Sequence, residues 1–188
     1  INISGAQNTS VTIDTSASDG GLGTTARTVT VNAASATGTV VYDGATAASG
    51  IAQNITGSST AASTLKGGSG NDSITGSAVG DSLVGNDGND TIVGNGGNDK
   101  MEGGSGNNSI TGSSGNDTIT ASTGDDIVNA GDGNNDISVS SGANSVTAGS
   151  GNDLITTTSG ADTISSGAGN DTISSGSGND VISTGAGQ

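Results

Sequence analysis

The chain has 188 residues, 36 of them glycine, with 28% hydrophobic and 1% aromatic residues and no histidine, cysteine, proline, tryptophan or phenylalanine. Eighteen acidic residues against three basic ones give a net charge of −15 at pH 7. This composition excludes a conventional aromatic core, a disulfide scaffold and a histidine- or thiolate-based centre, and three cations cannot track a phosphate backbone.

Residues 1–66 have no fixed repeat but keep the alternation of short strands. Ile1/Ile3, Val11/Ile13, Val29/Val31 and Val40/Tyr42 each space apolar residues by two, the period of a strand with one buried face. Glycine- and serine-alanine-rich stretches at Ser18–Gly23 and Ala33–Gly38 read as connections. Ile55 precedes Leu65 by ten residues, and Leu65 precedes Ile74 by nine. Two readings of this segment compete: a small separate β-domain, or an irregular β-rich stretch of solenoid continuous with the rest of the chain. The second is favoured because sequential strands usually remain neighbours.

From Gly67 to Ser183 the chain repeats every nine residues, thirteen times, without insertion or deletion. The first unit, Gly67–Thr75, reads GGSGNDSIT. Position eight is always apolar, from Ile74 and Leu83 to Ile173 and Ile182. Position four is glycine in every unit but one, where Val79 stands. Position six is aspartate at Asp72, Asp81, Asp90, Asp99, Asp117, Asp126, Asp153, Asp162, Asp171 and Asp180, and asparagine at Asn108, Asn135 and Asn144. A flexible glycine-serine linker would not lock aspartate and isoleucine in phase. Glycines at positions one, two and four allow a tight turn to aim its carbonyls inward. Positions seven to nine are rich in β-branched residues and suit a short strand whose central residue faces inside. Calcium wants about 6–8 oxygens from carboxylates and carbonyls, which such turns can supply. The charge follows the same phase, since residues 67–183 hold fifteen acids against Lys100 alone.

The pattern resembles the nonapeptide repeat of the repeats-in-toxin (RTX) family, G-G-x-G-x-D-x-U-x. The resemblance implies an all-β fold, a right-handed parallel β-roll (β-solenoid) over residues 67–188, with two nonads per coil and Ca²⁺ between turns stacked on one side. Stacking of alternate units would sort position six into two files. One runs Asp72, Asp90, Asn108, Asp126, Asn144, Asp162, Asp180; the other runs Asp81, Asp99, Asp117, Asn135, Asp153, Asp171. All thirteen are candidate metal ligands. Eleven spaces separate successive members, five flanked by two aspartates and six by an aspartate and an asparagine. Each asparagine either ligates through its carbonyl, without adding charge, or caps a turn that holds no ion. Asp87, Asp125, Asp132 and Asp136 fall off position six and read mostly as solvated. The sequons at Asn71, Asn89, Asn107, Asn116 and Asn170 follow from the repeat unit itself and give poor grounds for glycosylation.

The function expected is that of an extracellular calcium-binding structural protein of the bacterial cell surface, most like an RTX-type surface-layer (S-layer) lattice subunit. Dominance of Ala, Gly, Ser, Thr and Asn in both parts of the chain carries that expectation. Its partners would be calcium ions and further copies of itself, or other cell-surface components, and not nucleic acid. The alternatives are the calcium-folded domain of a type I secreted enzyme or toxin, and the spacer of an adhesin or filament. No catalytic role is expected, because the aspartates lie in regular files and form no pair with divergent environments. No apolar stretch is long enough for a transmembrane helix. Beginning at Ile1 and stopping inside a fourteenth turn, TGAGQ, the sequence reads as a fragment of something longer.

Overall fold

A computed structural model describes residues 28–44 and 50–187; the alternations at Ile1/Ile3 and Val11/Ile13 and the connection at Ser18–Gly23 lie outside them. Among the described residues there is no helix, and the strands are short. They are β1 (Thr28–Asn32), β2 (Val40–Asp43), β3 (Ala52–Thr56), β4 (Ser63–Lys66), β5 (Ser73–Thr75), β6 (Ser82–Asp87), β7 (Thr91–Gly96), β8 (Lys100–Ser105), β9 (Ser109–Ser114), β10 (Thr118–Thr123), β11 (Ile127–Asp132), β12 (Asp136–Ser141), β13 (Ser145–Thr147), β14 (Leu154–Ser159), β15 (Thr163–Gly167), β16 (Thr172–Ser174) and β17 (Val181–Thr184).

Odd-numbered strands form one nine-stranded sheet and even-numbered strands an eight-stranded one, each in sequence order. Every pairing is parallel, so the chain winds from sheet to sheet as a parallel β-solenoid. Within the repeats each apolar residue stacks on its counterpart 18 residues away, as in Ile74 on Ile92 and Leu83 on Met101. Both sheets continue upstream of Gly67 through β1–β4 with longer coils. Val31 pairs with Ile55 and Tyr42 with Leu65, 24 and 23 residues apart, then Ile55 with Ile74 at 19. Leu65 and Leu83 are the first pair at the regular spacing of 18.

Each sheet sends a column of position-eight side chains into the interior. Position eight is fully buried from Ile74 to Ile164, Ile173 packs partly against the same core, and Ile182 is 47% exposed in β17, the last strand among the described residues. Many strands run past position nine into position three of the next unit. Their pleat therefore turns position one inward beside position eight. Glycine holds position one through Gly112. Beyond it Ala121, Ala130, Val139, Ala148, Thr157 and Ser166 are buried there and thicken the core. Parallel sheets are usually covered on both faces. Here the outer faces carry mostly Ser, Thr and Asn, with Val41, Ile127, Leu154 and Val181 as exposed apolar exceptions.

Candidate metal centre

The turns between strands place position six at the flanks of the roll, with its side chain inward. Asp72, Asp81, Asp90, Asp99, Asn108, Asp117, Asp126, Asn135, Asn144, Asp153 and Asp162 are buried; Asp171 and Asp180, on the last turns, are partly exposed. Alternate units come together as two files. In each, Oδ1 accepts the backbone N–H of position six 18 residues earlier, at 2.8–3.0 Å. The first file joins Asp72 through Asp90, Asn108, Asp126, Asn144 and Asp162 to Asp180. The second joins Asp81 through Asp99, Asp117, Asn135 and Asp153 to Asp171. Upstream, the Oδ1 atoms of Asp72 and Asp81 accept from the N–H groups of Gln53 and Ser63. The Gln53 side chain accepts from the Tyr42 hydroxyl and donates to the Gly44 carbonyl.

The remaining side-chain atom of position six separates three kinds of turn. In the first two units Oδ2 has internal donors: the Gly68 N–H serves Asp72, and the N–H and hydroxyl of Ser77 serve Asp81. The three asparagines instead donate through Nδ2 to carbonyls of their own turn. Asn108 reaches Gly104 and Gly106, Asn135 reaches Gly131 and Gly133, and Asn144 reaches Ser140 and Gly142, at 3.0–3.4 Å. The carbonyls of positions two and four thus converge on one point inside each of these turns. In the third kind, Oδ2 of Asp90, Asp99, Asp117, Asp126, Asp153 and Asp162 is buried and meets no donor.

Backbone conformation accounts for part of this division. Position two has positive φ at Asn86, Asn95 and Ser113 but not at Gly68 and Ser77, which donate their N–H to the carboxylate; Ser122 and Thr158 also lack positive φ, yet Oδ2 of Asp126 and Asp162 meets no donor. Position four has φ of 98–146° from Gly97 to Gly178, the left-handed region that suits glycine. Position one in the first half leaves the carboxylate no room for a neighbouring methyl. A Cβ on Gly85 would fall on Asp90 Oδ2 and near the Gly103 carbonyl.

Burial of unpaired carboxylates disfavours their charged form. It pushes the carboxyls of Asp90 and Asp99 up to about 7, against the pull of the N–H groups of Asp72 and Asp81. Neighbouring acids add to the rise, Asp72 and Asp87 for Asp90, Asp117 and Asp81 for Asp99. Burial also raises Asp72, Asp117, Asp126 and Asp153.

A hard divalent cation fits this chemistry. Six buried carboxylate oxygens lack a positive partner, and carbonyl oxygens lie in the same turns. Among the described residues no three acidic side chains cluster, so carbonyls must complete any coordination shell. Off position six, Asp87 and Asp132 accept from the hydroxyls of Ser105 and Ser150 at the surface, Asp125 accepts from the Ala143 N–H, and Asp136 is exposed.

Sequence reasoning passed over a second pair of ladders. The Oδ1 atoms of Asn71, Asn89 and Asn107 on one flank accept the N–H of position five 18 residues later. Those of Asn98, Asn116, Asn134 and Asn152 do so on the other. The signal was the recurrence of asparagine at position five, which includes the sequon residues Asn71, Asn89, Asn107 and Asn116.

Seven overlapping stretches, 59–78, 75–110, 102–137, 111–146, 130–164, 138–173 and 156–188, match the profile of the RTX calcium-binding nonapeptide repeat. Together they run from 59 to 188, more than half of the chain. No curated protein and no solved structure matches the chain significantly.

Proposed function

We propose a structural role at the bacterial cell surface for this chain, which belongs to the RTX calcium-binding nonapeptide repeat family. RTX repeats take calcium as a structural ligand. The ion would supply the positive charge that Asp90, Asp99, Asp117, Asp126, Asp153 and Asp162 lack within the fold. Their carboxylates and the turn carbonyls would hold it, so that the folded roll binds the ion and the unfolded chain does not. Such linkage makes calcium part of folding stability. Weak calcium sites fill at about 10⁻⁴–10⁻³ M, a concentration found outside cells, which supports an extracellular setting.

The lattice reading rests on one observation. The small polar composition of the repeats extends through the upstream coils of the same solenoid, with Tyr42 the one aromatic residue in the chain. The absence of histidine and cysteine supports a role without catalysis. Electron microscopy of the protein at the cell surface, and of purified protein with calcium added, tests this. A two-dimensional lattice that dissolves on chelation is the expected result. Protein that stays monodisperse in millimolar calcium, or that hydrolyses protein or ester substrates, would overturn it.

A further inference from the structure

We propose that Asn108, Asn135 and Asn144 fill three of the inter-turn spaces with their own amide groups, so that these spaces take no calcium. The position-six file has a direction, because Oδ1 accepts from the preceding turn while Nδ2 of Asn108 and Asn144 reaches the carbonyls of its own turn and the next member of the file. The occupant of a space is therefore set by its N-terminal member. Asn108 Nδ2 lies 3.0 Å from the Gly106 carbonyl, 3.4 Å from that of Gly104 and 3.0 Å from Oδ1 of Asp126 on the next turn of the file. Asn144 repeats the arrangement against Ser140, Gly142 and Asp162. Asn135 makes the same two bonds within its turn. An N–H₂ group has two donors and no lone pair for a metal, and here it points at oxygens that would otherwise face a cation.

The orientation of each amide is settled by its partners. Oδ1 of Asn108, Asn135 and Asn144 accepts the N–H of Asp90, Asp117 and Asp126. Flipping the amide would set donor against donor there and oxygen against two carbonyls. The six mixed spaces are consequently unequal. Asp90–Asn108, Asp117–Asn135 and Asp126–Asn144 begin with an orphaned carboxylate oxygen. Asn108–Asp126, Asn135–Asp153 and Asn144–Asp162 begin with an amide that has its acceptors. Asparagine in this roll thus marks a space by its order in the file, which charge count alone does not distinguish.

This inference rests on calcium binding by the repeats, and a count of bound ions tests it. Metal analysis after equilibrium dialysis, with native mass spectrometry, gives the number held at saturation. Eleven spaces less three leave at most eight for the wild-type chain. Asn108→Asp, Asn135→Asp and Asn144→Asp should each bind about one more ion, and Asp117→Asn about one fewer. Unchanged counts in the Asn→Asp variants, or eleven ions in the wild type, would overturn the proposal. Hydrogen exchange of the metal-stripped wild type gives an independent reading should a variant fail to fold. The N–H groups of Asp90, Asp117 and Asp126, which bond to the asparagine oxygens, should exchange more slowly than those of Asp99 and Asp153, which bond to aspartates. Equal exchange would count against it. A wild type that binds no ion at all would instead defeat calcium binding itself.

Discussion

Asp99 stands between Asp81 and Asp117, whereas Asp126 stands between Asn108 and Asn144. A second carboxylate strengthens attraction to a divalent ion, and a neutral amide oxygen does not. Asp99→Ala should therefore lower the melting temperature at limiting calcium more than Asp126→Ala; equal losses would mean that turn carbonyls set affinity. Glycine at position four gives a sharper substitution. Gly115 has φ of 127°, and a Cβ there would fall on the Gly97 carbonyl. Gly115→Ala should cost about 1–3 kcal/mol through backbone strain, with the clash in addition, read as a lower urea midpoint in saturating calcium. Legibility ends at this scale. The phase of position six shows which side chains form the files, because nine residues return the chain to the same place on the opposite flank. It cannot show whether the second carboxylate oxygen finds a donor, since Asp81 and Asp90 occupy the same position of the repeat and only the first is served, by the N–H and hydroxyl of Ser77.

At the scale of the strand, the triplet at positions seven to nine is legible from its β-branched residues and its single apolar centre. The inward column at position one is not, although Ala121, Ala130, Val139 and Ala148 announce it once the strand is known to continue. Position one reads in sequence as a turn glycine, and the pleat makes it a core site as well. The two columns predict where truncation hurts. Ile137 is fully buried between Ile119 and Ile155. Ile137→Ala should cost about 2–5 kcal/mol through lost burial and the cavity left behind. Ile182→Ala, at a side chain already exposed, should cost far less. Denaturant melts of both variants in calcium check the ordering, and comparable losses would show that the last coil is packed like the rest.

Across the whole molecule, stacked acids make the metal-free roll sensitive to pH in a direction opposite to ordinary acid denaturation. The carboxyls of Asp90 and Asp99 rise from the usual 3.8 to about 7 in the folded chain, chiefly through burial. Between those values the folded state holds more protons than the unfolded one, so stability falls as pH rises. Protein stripped of metal on a chelating resin should give a stronger β signal in circular dichroism, and a higher melting temperature, at pH 5 than at pH 7.5. Calcium at pH 7.5 should restore both. A metal-free roll more stable at pH 7.5 than at pH 5 would show that these carboxylates are not desolvated as described.

The 18-residue step governs more than stability, because each regular coil holds on to its immediate neighbours. Tension applied to the two ends of such a spool finds no distant contact to break. A coil held by a neighbour on one side only should peel away before any coil held on both. Each released coil then frees 18 residues, about 60 Å of chain. The roll would lengthen under load in equal steps, and its turns would act as a ratchet of small catches along a tether.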